Sequence, residues 1–196
     1  MKKPGRQSIG LYFGTFNPVH IGHMAVANYM VSYANLDALW FVITPQSPFK
    51  QKQSMLPDRQ RLELVHRAIG DDLRFKASDI EFNLLQPNYT AYSIKTLLEK
   101  FPDKAFALIM GEDNLAGFDR WKNYEYLLKY TELVVYPRPG FDAGKWKEHA
   151  SVRLVEAPQI EVSSSFIRAG IKAGKDLRHF MPEAAWSYAE EMGFYR

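Results

Sequence analysis

Ile9-Gly10-Leu11-Tyr12-Phe13-Gly14-Thr15-Phe16-Asn17-Pro18-Val19-His20-Ile21-Gly22-His23 reads as a β-rich run feeding a glycine-containing turn, then two histidines at the mouth of a helix. A strand that opens into such a turn leaves backbone N–H groups without helical acceptors. Those donors and the positive end of the helix dipole suit a phosphate group. Two imidazoles one helical turn apart add side-chain donors to the same spot. The chemistry implied is work on a nucleotide's phosphates.

Outward from this stretch, strand-like and helix-like segments alternate. Ile9 to Phe13 is followed by a helical stretch from about Ile21 to Tyr33, and Ala38 to Thr44 is a second apolar strand ended by Pro45. A helix is expected near Asp58 to Ile69, with Leu62, Val65 and Ile69 at helical spacing, and a strand over Leu73 to Ile80. Thr90 to Lys100 suits a helix with Ile94, Leu97 and Leu98 inward. Ala105 to Met110 is a nearly continuous apolar strand stopped by Gly111, the pattern of a strand covered on both faces. Leu115 to Tyr130 supplies one or two helices, Glu132 to Tyr136 and Val152 to Val155 read as strands, and the chain is helical from Ser164 onward. This alternation predicts an α/β fold: a Rossmann-like, doubly wound parallel sheet with helices on both faces. Ligands in such folds sit beyond the carboxyl ends of the strands, where polar clusters follow Phe13, Ile43, Met110 and Tyr136.

The 196 residues fit one domain spanning 1–196, and residues 1–7 read as a leader expected to be disordered. Apolar content of 46% and charged content of 24% describe an ordinary globular chain. A net charge of +3, with no Lys/Arg block longer than a pair, argues against nucleic acid as a partner. No apolar run approaches the ~20 residues of a membrane span, and the basic start lacks the apolar core of a signal peptide. Zero cysteines excludes disulfides and thiolate metal sites and is compatible with the cytoplasm. His20 and His23 lie three apart beside Ile21, unlike the zinc-protease spacing of four beside a glutamate, so no metal site is assigned to protein ligands. A homo-oligomer is compatible with the sequence.

Other polar residues each have a plain structural reading. Lys50 could be a solvated loop charge, and Asp113 could cap the helix after a buried strand. Trp121 could share the core with Phe118, and Arg138 could sit exposed in the turn Tyr136-Pro137-Arg138-Pro139-Gly140. Ser163-Ser164-Ser165 could cap the following helix, a role compatible with presenting free N–H donors to a phosphate.

Their joint order carries a resemblance. Gly14 to His23 looks like the histidine signature of the nucleotidyltransferase superfamily. Four further segments resemble the bacterial nicotinate-nucleotide adenylyltransferases: Ser47-Pro48-Phe49-Lys50; Pro87-Asn88-Tyr89-Thr90 with Thr96-Leu97; Met110-Gly111-Glu112-Asp113-Asn114-Leu115 with Phe118 and Trp121; and Val162-Ser163-Ser164-Ser165-Phe166-Ile167-Arg168. Tyr188 to Tyr195 resembles the family's closing helix. Phe13, Asn17, Ser165 and Glu112 depart from the family's usual glycine, aspartate, threonine and small residue. Asn17 and Ser165 keep hydrogen-bonding capacity.

The resemblance implies an enzyme that transfers the adenylyl group of ATP to nicotinate mononucleotide in NAD biosynthesis, with Mg²⁺ held mainly by ATP phosphates and water. It implies that His20, His23, Lys50 and Arg168 serve catalysis. Gly14, Thr15, Phe16, Gly111, Asp113, Ser164, Ser165 and Ile167 would join His20, His23 and Arg168 around ATP. Trp121 would stack on the pyridine ring, with Tyr89, Thr90, Lys122 and Arg138 beside that substrate. The alternatives are the amide acceptor nicotinamide mononucleotide, a phosphopantetheine adenylyltransferase, or a nucleotide-binding regulator without turnover.

Overall fold

The computed structural model describes residues 5–45 and 55–196. Six strands form one sheet: β1 (Gln7–Gly14), β2 (Ala38–Ile43), β3 (Phe75–Ser78), β4 (Lys104–Gly111), β5 (Glu132–Tyr136) and β6 (Val152–Leu154). Their order is β3-β2-β1-β4-β5-β6, and every pair is parallel. The helices are α1 (Ile21–Tyr33), α2 (Asp58–Ile69), α3 (Thr90–Lys100), α4 (Glu112–Leu115), α5 (Tyr124–Tyr130), α6 (Ser164–Lys172) and α7 (Glu183–Glu191).

Alternation along the strands builds two apolar layers. On β2, Leu39, Phe41 and Ile43 enter a core with Val26, Ala27 and Met30 of α1, Leu64 and Val65 of α2, and Ala185 and Trp186 of α7. Trp40 and Val42 point the other way, to Ile94 and Leu97 of α3 and Leu127 of α5. A strand such as β2, buried at every residue, needs both layers. Each fully buried Leu or Ile side chain contributes about 1.5–3 kcal/mol. The chain order reverses between β1 and β4, so a crevice opens there at the carboxyl ends of the strands.

Several expected boundaries differ. Gln7, expected in a disordered leader, is the first residue of β1; it pairs with Lys104, whose Nζ donates to its Oε1 at 2.9 Å. The strand expected over Leu73 to Ile80 shrinks to Phe75–Ser78, because β3 is an edge strand that pairs only with Leu39 to Val42. Leu73 is 98% exposed. The inward residues of α2 are Leu64 and Val65, with Leu62 and Ile69 only partly covered. Between Leu115 and Tyr130 the chain makes the end of α4, a short 3₁₀ turn at Phe118–Arg120, and α5, which begins after Asn123 at φ 57°. The C-terminal helix is broken at Gly174 (φ 69°), where the N–H groups of Gly174 and Lys175 bond the carbonyls of Ile171 and Gly170, a Schellman stop. The closing helix ends at Glu191. Among the described residues no helix is long and apolar enough to cross a membrane.

Candidate active site

The crevice is a cavity of about 840 Å³, walled by the ends of β1, β4 and β5 and by the starts of α1 and α6. Its first wall is the turn after β1. Phe16 takes φ 45°, a left-handed conformation that costs a bulky residue about 1–3 kcal/mol. Its ring is 2% exposed and meets Tyr12, Phe41 and His23 edge-on at 5.6, 5.4 and 5.0 Å, so buried aromatic area offsets that strain. Gly14 lies against the same ring: a Cβ there would come within 2.9 Å of Phe16.

His20 is the N-cap residue of α1, and its carbonyl accepts the N–H groups of His23 and Met24 at 2.9 and 3.2 Å. The His20 N–H donates to Nδ1 of His23 at 3.2 Å. That bond makes Nδ1 of His23 an acceptor, so its ring proton sits on Nε2. The two imidazoles stack at 3.6 Å. His20 is buried, and among the described residues its Nδ1 has no hydrogen-bond partner. Burial first, and the nearby Arg138 guanidinium second, hold its pKa down to about 4. His20 therefore enters the cavity wall as a neutral imidazole at pH 7, stacked on His23, and both rings are suited to donate to anionic oxygens.

The floor crosses the sheet. The hydroxyls of Tyr12 on β1 and Tyr136 on β5 stand 3.3 Å apart beyond the intervening strand β4. Burial pushes both phenols up, Tyr12 furthest, so the pair stays protonated. At the end of β4, Gly111 allows a close approach: a Cβ there would collide with Oδ1 of Asp113 and lie 2.8 Å from Cγ of Arg138. Asp113 does not cap α4, whose N-cap is Gly111; its Oδ1 faces Nε of Arg138 at 3.6 Å. Glu112 accepts the Arg138 N–H at 3.1 Å and so fixes the turn after β5.

The three serines divide their work. Ser163 caps α6 by accepting the Phe166 N–H at 3.2 Å, Ser164 Oγ donates to the Pro18 carbonyl at 2.8 Å, and Ser165 Oγ accepts from Arg168 at 3.2 Å. Arg168 also donates to the Asn17 carbonyl at 2.7 Å. The start of α6 is thereby stitched to the turn before α1, and the N–H groups of Ser164 and Ser165, in the first helical turn, lack intrahelical acceptors. Ile167 is fully buried in the core and does not line the cavity; its N–H bonds the Ser163 carbonyl at 3.1 Å.

On the opposite side Trp121 lines the cavity, packed at 5.5 Å against Phe118, which is fully buried and also meets Trp146. Core membership thus falls to Phe118, and Trp121 offers a face. Tyr89, Thr90 and Lys122 stand outside the lining: Nζ of Lys122 sits over the rings of Tyr89 and Tyr92 at 4.6 and 5.3 Å, a cation–π arrangement. Lys50 lies outside the described residues.

Sequence reasoning missed Tyr12 and Tyr136, whose polar ends were hidden in apolar strands, and Arg61. The available signal for Arg61 was its place on the inward face of α2, one turn before Leu64 and Val65.

Known proteins resemble this chain in sequence and in fold. The cytidylyltransferase-like family model matches residues 11–170. A relative from Christiangramia forsetii named "probable nicotinate-nucleotide adenylyltransferase" is 47% identical over 97% of this chain and 99% of its own length. One of the same name from Flavobacterium johnsoniae is 45% identical over 96% of this chain and 98% of its own. A solved nicotinic acid mononucleotide adenylyltransferase from Plasmodium falciparum, complexed with NaAD, superposes with a TM-score of 0.80 at 19% identity, covering 97% of this chain and 98% of that one, which shows a shared fold. The sequence relatives and the family model together make this chain a member of the cytidylyltransferase-like family and, within it, of the nicotinate-nucleotide adenylyltransferases.

Proposed function

We propose that the chain transfers the adenylyl group of ATP to nicotinate mononucleotide, giving nicotinate adenine dinucleotide and pyrophosphate. The observation that carries this reading is the convergence of His20, His23, Arg138, Arg168 and the α6 start on one crevice that Trp121 faces from the other side.

A phosphate oxygen of the mononucleotide attacks the α-phosphorus of ATP in line, and the bond to the bridging oxygen of pyrophosphate breaks. A phosphate monoester with a second pKa of about 6 is already an anion near neutral pH, so no strong general base is required. Catalysis rests on alignment and on donors aimed at the phosphate oxygens. The His20 imidazole and the Nε2–H of His23 supply two such donors, and the N–H groups of Ser164 and Ser165 supply two more. Arg168 and Arg138 bring positive charge, and Asp113 accepts a ribose hydroxyl. Trp121 stacks on the pyridine ring.

Among the described residues no group of three or more His, Asp or Glu side chains could hold a metal ion. The site therefore fits Mg²⁺ that arrives on the triphosphate and keeps its waters. When bound, Mg²⁺ neutralises phosphate charge. We place the activity in the cytoplasm, in keeping with a chain free of cysteine.

The test mixes the protein with ATP, Mg²⁺ and each acceptor in turn, reading pyrophosphate release and product mass. Nicotinate mononucleotide is expected to give the adenine dinucleotide fastest. Faster turnover with nicotinamide mononucleotide would reassign the acceptor, and no ATP consumption with either would end the proposal.

A further inference from the structure

The turn before α1 is gripped from behind by groups outside the cavity lining. Arg61 on α2 is fully buried. Its Nε donates to the Leu56 carbonyl at 3.0 Å, one terminal nitrogen donates to the carbonyls of Thr15 at 2.6 Å and Thr44 at 3.0 Å, and the other pairs with Asp58. Taking a guanidinium out of water costs several kcal/mol unless its donors are met. Here they are met by three carbonyls, two of them just beyond the ends of β1 and β2, and by one carboxylate. A methionine would fill the same space without that desolvation cost, but it would leave those carbonyls without a donor.

The peptide geometry says what the bonds do. Across a trans peptide the C=O of one residue and the N–H of the next point in opposite directions. With the Thr15 carbonyl turned back onto Arg61, the Phe16 N–H is turned away from Arg61, in a turn whose Thr15 and Phe16 both line the cavity. The next residue is held as firmly. Oδ1 of Asn17 accepts the Leu56 N–H at 3.2 Å and the Tyr195 hydroxyl at 2.9 Å, from a residue 178 positions further along the chain. Burial raises the Tyr195 pKa, which keeps that phenol a donor.

We propose that Arg61 and Tyr195 are positioning residues that hold the 15–17 turn so that the Phe16 N–H meets a phosphate oxygen of the bound triphosphate. Neither touches substrate. This inference rests on the reading that the cavity takes ATP, and the test separates the two.

The experiment compares wild type, Arg61→Lys and Tyr195→Phe in thermal unfolding, ATP binding by calorimetry without acceptor, steady-state kinetics, and the amide spectrum of protein labelled with ¹⁵N-phenylalanine. In wild type, ATP should shift the Phe16 amide. Tyr195→Phe should fold, weaken ATP binding and lower kcat by about 3- to 10-fold, and leave the acceptor KM unchanged, as expected for a slightly misplaced donor. Arg61→Lys keeps the charge but cannot reach all three carbonyls, and should lose about 10-fold or more. If Arg61→Lys fails to fold, Tyr195→Phe and its Phe16 amide decide alone. A wild type that does not bind ATP refutes the reading of the cavity. A wild type that binds ATP with a motionless Phe16 amide overturns the clamp, and so does a folded Tyr195→Phe with wild-type binding and turnover.

Discussion

The two sides of the cavity are built differently. On the turn side, His20, Asn17, Arg61 and the serines of α6 are tied by bonds of 2.6 to 3.2 Å between backbone and buried or partly buried side chains. On the far side, Trp121 leans on the core through Phe118, and Lys122, Tyr89 and Tyr92 gather at the surface by ring contacts. The difference teaches where each kind of work belongs. Charge stabilisation needs donors that do not reorganise, and recognition of a flat ring needs only a face. Losses on the turn side should therefore appear in kcat, and losses on the Trp121 side in KM.

The largest effect tests the turn side. His20→Ala and Arg168→Ala are each expected to lower kcat by ~10²-fold or more, the scale for losing one preorganised donor, measured by steady-state pyrophosphate release on protein shown to be folded. A variant with full turnover would remove that residue from the mechanism. The same side also predicts an acid liability. His20 has a folded pKa of about 4 against an ordinary 6.5, so the unfolded chain binds the proton more readily between those values. Stability is present above pH ~6.5 and falls as pH drops toward 4, by on the order of 3 kcal/mol. Denaturant midpoints between pH 7 and 4 should show this slope in wild type and a shallower one in His20→Gln. Equal slopes would mean that the imidazole titrates normally.

Smaller effects test the far side. Trp121→Ala should raise the KM for the pyridine nucleotide about 10-fold with little change in kcat, since one stacked ring is worth about 1–3 kcal/mol. A kcat loss instead would put Trp121 on the reacting side. Lys122→Ala should change the acceptor KM by less than about 3-fold, because an exposed cation over a tyrosine contributes about 0.5–1 kcal/mol. A larger rise would draw the Tyr89–Lys122 cluster into the site.

The sheet and its flanking helices were legible because they rest on periodicity. Ile21 to Tyr33, Asp58 to Ile69 and Thr90 to Lys100 read as helices from their own residues, β2 read as an apolar strand and β4 as one covered on both faces. The turn side was legible because its groups sit in short contiguous motifs, Gly14 to His23 and Ser163 to Arg168. Pairings that close in space stayed hidden: no spacing rule joins Tyr195 to Asn17, or Thr15 to a charge on α2. The edge strand β3 was overread because apolar composition continues past the point where a partner strand is available. The pyridine side was the least readable, since a tryptophan beside a phenylalanine looks like core until one ring is seen to face the cavity.

The claim that phosphates dock against two stacked imidazoles is tested most directly by ¹⁵N spectra of histidine-labelled protein titrated with ATP across pH. The account predicts that ATP moves the ring nitrogens of His20 and His23 and raises the His20 pKa above about 4, as an added anion favours the proton. Saturating ATP that leaves both rings and their titration unchanged would contradict it.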